Sequence, residues 1–365
     1  MQNILLVAPY NLTKKEVGGA FTYQFISRLV EAGIKVDYIL YSYDGDIEDP
    51  PVSKNFRVIK RIKLSTFDKL LSWIQCPIFH PLFTSRFSWN IVSFINNELR
   101  KKYYDYVVFD YSQTFTLARF VKHPHKLLIA HDVISQRYER EHSILLPWIK
   151  WTEYCLVKKV EKLYSFSIKD CQLIRNRYGV ECDHTPVFIK KDILNKKPEK
   201  VGNYHVFFAD WGRKDNSESL EWFLVNVIDK LPDENFKVIG GNIPKSLLAM
   251  IENKQNIDYL GFVDDPYQII ADAKSEVSPL HKGAGIKVKC LEALACGTPV
   301  VGTEIAFEGI SDDFSSYLFR ADNPKEYVSV IKSLSMSVTE KNAIKSKFLD
   351  SYSQRSIVNY IIQNN

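Results

Sequence analysis

The run His281-Lys282-Gly283-Ala284-Gly285, followed by Lys287, Lys289 and Glu292, gathers residue types that suit a phosphate ester. Glycines at 283 and 285 let the backbone turn sharply or approach a ligand closely. From Ile286 onward, Ile286, Val288, Leu291, Leu294 and Ala295 fall on one face of a helix. A helix N-terminus offers N–H groups and the positive end of a dipole, and so receives anions. Lysines at 287 and 289, in the first turn, oppose that dipole by a few tenths of a kcal/mol, which a bound phosphate would offset. Glu292 lies further along, where its carboxylate would reach a hydroxylated group beside the phosphate. A diphosphate followed by a ribose fits this pattern; an ordinary crossover with solvated lysines is the other reading.

Such a loop needs a strand before it and a strand after it. Val277 and Leu280 close a short apolar strand, Cys296-Gly297-Thr298-Pro299 ends the helix, and Val300-Val301 begins the next strand. The same βαβ grammar opens the chain: Asn3–Ala8 is a buried-strand run, Pro9 to Gly19 a loop ending in Gly18-Gly19, and Ala20, Tyr23, Ile26, Leu29 and Val30 a helical stripe. Val36 to Leu40 is the second strand. Two glycines in place of GxGxxG mean that a dinucleotide fingerprint is absent, which disfavours an NAD-dependent oxidoreductase. Tyr106–Phe109 and Leu127–Ala130 read as further buried strands, the second delivering His131-Asp132-Val133 at the C-terminal edge, where parallel sheets place ligand residues. Val206–Ala209, Phe236–Ile239 and Ile257–Val263 continue the pattern.

From Gly261 to Ile310 the chain has Gly261-Phe262-Val263-Asp264-Asp265, Pro279-Leu280, Gly283 to Lys289, Glu292-Ala293, Gly297, Pro299-Val300-Val301 and Glu308-Gly309-Ile310. This block resembles the C-terminal signature of the retaining GT-B-fold glycosyltransferases of family 4, the glycosyl transferases group 1. The resemblance implies two doubly wound Rossmann-like domains facing across a cleft. It implies a sugar transferred from a nucleoside diphosphate donor to a hydroxyl of a glycan or lipid-linked glycan, with retention and without metal or cofactor. Arg213 matches the family's phosphate-gripping arginine, with Lys214 or Lys287 supplying the second charge and Arg well suited to bidentate contact. Gly18 and Gly19 inherit a close backbone approach to the donor phosphate or the acceptor. The backbone at Phe262 and Val263 would meet the nucleotide base, that at Gly285 and Ile286 the diphosphate, and Glu292 the ribose. His131 would bind a donor-sugar hydroxyl or steady charge in the transition state. Asp132 would orient His131 or touch the acceptor, and Arg137 lies on the acceptor side. Many members carry a second glutamate where this chain has Ala284, so sugar identity is not inherited. Two other readings of these residues are a nucleotide-sugar epimerase on the same fold and a non-catalytic partner that has kept it.

Length and composition agree with two α/β domains: 365 residues, 45% hydrophobic and 25% charged. We expect domains at 1–190, with a C-terminal helix from about 348 returning to it, and at 201–347, joined by the polar run Lys190 to Lys200. Residues 1–190 carry 27 Lys and Arg against 19 acids, a net +8, while the remainder is −3, so an acidic partner suits the first half. Six scattered cysteines without metal-ligand spacing, no signal-peptide pattern and no long apolar run suggest a cytoplasmic protein. Asp44-Gly45-Asp46 spells a metal-binding DxD, but it sits in an acidic turn that nothing else organises, and we read it as solvated. Aromatic and basic residues crowd 64–89 and 144–164. That composition suits helices packed on the core or, alternatively, a peripheral seat on an anionic membrane face.

Overall fold

The structure, a computed structural model, describes residues 2–12, 17–42, 53–158, 160–283, 285–352 and 357–363. Asp44-Gly45-Asp46 and Ala284 lie outside the described residues. The chain forms two compact units, Met1–Phe188 with Arg355–Asn365, and Ile189–Gln354.

In the first unit β1 (Asn3–Ala8) leads into α1 (Val17–Glu31) and β2 (Lys35–Ser42). Strand β3 (Phe56–Lys63) and helices α2 (Thr66–Gln75), α3 (Pro81–Thr84) and α4 (Trp89–Lys101) follow. Next come β4 (Tyr106–Asp110), α5 (Phe115–Phe120), β5 (Lys126–Ala130), α6 (Ile134–Arg140) and α7 (Leu146–Val157). β6 (Lys162–Ser165), α8 (Ile168–Tyr178) and β7 (Asp183–His184) complete the sheet. Its order is β3-β2-β1-β4-β5-β6-β7, all parallel, with Ile4 opposite Val36 on one side and Tyr106 on the other. The central strands are near-continuous apolar runs because helices cover both faces of a parallel sheet. Leu5, Val7, Val107, Phe109 and Leu128 are fully buried accordingly.

The second unit begins with α9 (Lys191–Asn195), a short helix with Ile193 buried, where the sequence reads as a polar connection. β8 (His205–Phe208), α10 (Lys214–Asn226), β9 (Phe236–Ile239), α11 (Lys245–Glu252) and β10 (Ile257–Gly261) form one half. α12 (Tyr267–Asp272), β11 (Glu276–Ser278), α13 (Val288–Ala295), β12 (Val300–Gly302), β13 (Leu318–Arg320) and α14 (Pro324–Ser333) form the other. Six parallel strands run in the order β10-β9-β8-β11-β12-β13.

The C-terminal stretch, read from its pattern as one helix, is two: α15 (Val338–Tyr352) in the second unit and α16 (Ile357–Gln363) in the first. Ile357, Val358 and Ile361 of α16 are buried, and Gln2 donates its side-chain amide to the Ile361 carbonyl at 2.8 Å. Among the described residues no helix is long and apolar enough to cross a membrane.

Candidate functional site

Strand order reverses between β8 and β11 in the second unit, and a parallel sheet opens a crevice at the C-terminal ends of such strands. The loops there run from Ala209 to Arg213 and from Pro279 to Lys287. Each feeds a helix whose N-cap, Arg213 for α10 and Lys287 for α13, has no side-chain capping bond. Helices α2, α4, α8 and α14 are capped by Ser65, Ser88, Ser167 and Asn323, whereas α5, α6, α7, α9, α11 and α12 also lack a side-chain cap, so it is their place at the β8/β11 reversal that sets α10 and α13 apart. At that reversal both helices present free N–H groups beside a cation, the arrangement that suits an anion. The loops are tied together, since Lys282 pairs with Glu218 of α10 at 3.0 Å and His281 packs on Trp222 of α10 at 4.5 Å between ring centroids.

The first loop is rigid for visible reasons. Trp211 is buried, its backbone N–H donating to Gly241 and its indole N–H to Ile239, both at 3.1 Å. Gly240 has φ +130°, and a Cβ there would lie 1.7 Å from the Ala209 carbonyl oxygen. Only glycine allows that approach.

In the second loop Gly283 and Gly285 have φ of 118° and 69°, so both turns use the left-handed region. Lys287 folds back, its Nζ donating to the Gly285 carbonyl at 2.6 Å. The helix starts at Val288, so Lys287 stands at its N-cap position rather than in its first turn, and Ile286 belongs to the loop. Glu292 is partly buried in α13 and accepts from the Tyr267 hydroxyl at 3.3 Å. Burial pushes its carboxyl up to about 7, against the pull of the Lys190 charge and the Tyr267 hydroxyl. Lys214 points elsewhere, 82% exposed and paired with Glu218 at 3.4 Å. Phe262 and Val263 follow β10, Phe262 exposed beside Gly241.

The first unit reverses strand order between β1 and β4. Asp110, the last residue of β4, is fully buried, and two donors reach it: Thr22 Oγ1 to Oδ2 and His131 Nε2 to Oδ1, both at 2.7 Å. This contact fixes Nε2 as the protonated nitrogen and leaves Nδ1 to a second partner. Aromatic rings wall the imidazole. Tyr111 stacks at 3.3 Å between centroids, and Phe21 and Phe166 meet it edge-on at 4.8 and 4.6 Å. Tyr111 itself has φ 67° and ψ 143°, a conformation that costs a non-glycine residue about 1–3 kcal/mol. It is over-determined by the Thr114 N–H and hydroxyl, both donating to its carbonyl at 2.9 Å.

The carboxylate that meets His131 Nε2 is Asp110, which sequence reasoning missed, while Asp132, expected to orient His131 or touch the acceptor, is the next residue along the chain. The signal was present, because Tyr106–Asp110 is an apolar strand ending in an acid, just as Leu127–Ala130 leads into His131. Gly18 and Gly19 lie within the first turn of α1 instead of ending the loop before it, and Gly19 is buried. Arg137 is exposed on α6 and paired with Glu141 at 3.2 Å. Among the described residues no group of three or more His, Cys, Asp or Glu is placed to hold a metal ion.

Residues 203–336 match the family model described as glycosyl transferases group 1. No curated protein sequence matches the chain. Among solved structures, sucrose-phosphate synthase from Thermosynechococcus elongatus superposes with a TM-score of 0.73 at 14% identity, over 100% of this chain and 98% of that one. WaaG, a glycosyltransferase involved in lipopolysaccharide biosynthesis, gives 0.64 at 16%, over 99% of each. HepE of Anabaena, in complex with UDP, gives 0.64 at 13%, over 100% of this chain and 98% of that one. Likeness at these identities establishes the GT-B fold. The family match falls on the unit that carries Arg213, Lys287 and Glu292, and it supports a group 1 glycosyltransferase.

Proposed function

We propose that the chain is a glycosyltransferase that moves a sugar from a nucleoside diphosphate donor to a hydroxyl of a glycan or lipid-linked glycan acceptor. The observation that carries this reading is the pair of helix N-termini at the β8/β11 reversal, one starting on Arg213 and one on Lys287, inside the segment that matches the family. The bond from the anomeric carbon to the diphosphate oxygen breaks, and a bond from that carbon to the acceptor oxygen forms. The acceptor proton passes to the departing diphosphate. Negative charge grows on the diphosphate as it leaves, and preorganised donors aimed at that charge lower the barrier. Arg213, Lys287 and the α13 N-terminus are such donors, and the transfer needs no metal ion. Glu292 takes the ribose hydroxyls, and His131, held by Asp110, takes a sugar hydroxyl. Retention follows the family that the signature resembles.

The test is release of the nucleoside diphosphate with and without a glycan or lipid-linked acceptor, in buffer with and without Mg2+. The anomeric configuration of the product is read by NMR. We expect acceptor-dependent release, an unchanged rate in chelator, a retained configuration and loss in His131→Ala. Release of an altered free sugar without any acceptor would identify an epimerase instead.

A further inference from the structure

Two thiols meet inside the first unit. Helix α8 is capped by Ser167 at its start and stopped by Gly179, which takes φ 65° in the left-handed region, so the chain doubles back. Val180, Glu181 and Cys182 form the return, and such a length reaches about 10 Å. That undoes most of the roughly 12 Å of helix from Cys171 to Gly179. Cys182 thereby arrives on Cys171, its thiol donating to the Cys171 sulfur at 3.0 Å. The surface pair Arg175 and Glu181, at 2.9 Å, ties the return to the helix.

Both thiols are free and buried in the core of the unit. A thiol is a weak donor and a weak acceptor, so the contact holds little by itself. What the pair can do is form a bond, since the two sulfurs lie within about 1 Å of disulfide distance. Cys290, buried in the second unit, donates instead to the Glu276 carboxylate at 3.8 Å. The two sulfurs of the pair also differ. Cys171 is the acceptor and closes the first turn of α8, its N–H donating to the Ser167 carbonyl at 3.1 Å, where the helix dipole favours a thiolate. Cys182 is the donor, and that hydrogen bond, together with burial, keeps its proton well above the usual thiol range.

We propose that Cys171 and Cys182 are an oxidation site, at which a peroxide joins them in a reversible disulfide that staples α8 to the start of β7. The Cys171 thiolate attacks one peroxide oxygen, the O–O bond breaks, and the hydroxide that leaves takes the Cys171 proton to become water. The Cys182 sulfur then attacks the Cys171 sulfenic acid. The S–S bond forms, the S–O bond breaks, and the departing hydroxide leaves as water with the Cys182 proton. Two thiols are oxidised and one peroxide is reduced to two waters. The staple fixes the segment that seats α16, because β7 pairs with β6 and Thr185 beyond it accepts the Ile357 N–H at 3.2 Å. This chemistry is independent of the transfer reaction.

The experiment is treatment of the folded full chain with hydrogen peroxide, then iodoacetamide and trypsin, with mass spectrometry in the absence of reductant. Cleavage after Lys169, Arg175, Arg177 and Lys190 puts the two cysteines on separate peptides, 170–175 and 178–190. We expect these joined, two hydrogens lighter than their sum, as the main product, and parted again by dithiothreitol. The oxidised chain should melt about 4 °C or more above the reduced one. With dimedone present, Cys182→Ser should be labelled at Cys171, while Cys171→Ser should leave Cys182 unlabelled. The linked peptide is read on the parent chain, so the test does not depend on either variant folding. Its absence from the peroxide-treated folded chain, or its formation only after unfolding in urea, would overturn the proposal. Equal linkage of Cys171 to the other cysteines would overturn it as well.

Discussion

A buried carboxylate is costly unless donors satisfy it, and Asp110 has two, the Thr22 hydroxyl and the His131 ring. Replacing it with asparagine keeps the shape but puts an amide N–H against one of those donors. The imidazole then loses its fixed tautomer, and we expect transferase activity to fall about a hundredfold, as for a misplaced reacting group. Stability should drop by only about 1–3 kcal/mol, so circular dichroism and melting will separate the two effects. Glu292 makes a different prediction. Its carboxyl is raised from 4.5 to about 7, chiefly by burial, so the folded protein holds a proton that the unfolded chain has already released. A ribose hydroxyl donates best to the ionised form. Affinity for a nucleoside diphosphate sugar, whose phosphates do not titrate near neutrality, should therefore rise from about pH 6 to about pH 8 and level off. In Glu292→Gln the profile should be flat, as calorimetry across that range will read.

Elements place these residues, and the tightest constraint is where loops cross at the strand ends. Gly240 lets the β9 loop pass against the Ala209 carbonyl, which fixes Trp211 and through it the start of α10 at Arg213. Gly240→Ala should destabilise the second unit by more than about 3 kcal/mol, since both the contact and the positive φ oppose it; chemical denaturation will measure the loss. Much of this layer was legible in the sequence. Parallel strands buried on both faces are short apolar runs, so β1, β4, β5, β8, β9 and β12 announced themselves, and Gly283 and Gly285 marked the turn into α13. What escaped depends on partners distant in sequence. β3 carries basic residues because it is an edge strand. Phe67, Leu70, Leu71 and Ile74 of α2 have core spacing yet face solvent, and periodicity cannot say which side of a helix is covered. Asp110 and Thr22 are 88 residues apart, and only the β1/β4 reversal brings them together.

At the scale of the whole chain, the last helix belongs with the first strand. Ile357 donates its backbone N–H to Thr185 Oγ1 at 3.2 Å, and Ile361 is fully buried. Ile361→Ala should therefore cost about 2–4 kcal/mol, expressed as earlier proteolysis of the first unit while nucleotide binding by the second persists. The central claim concerns that second unit, where the family match, the strand reversal and the helix N-termini at Arg213 and Lys287 coincide. Its most direct test is thermal stabilisation by UDP, GDP, ADP, dTDP and CMP, with NAD as control, on the parent protein and on Arg213→Ala and Glu292→Ala. A ligand at about a hundred times its dissociation constant adds about 2.7 kcal/mol, enough to move the melting temperature visibly. The account predicts that one nucleoside diphosphate stabilises the parent and that each substitution abolishes or sharply weakens the shift. Stabilisation by NAD, or by no nucleotide at all, would contradict it.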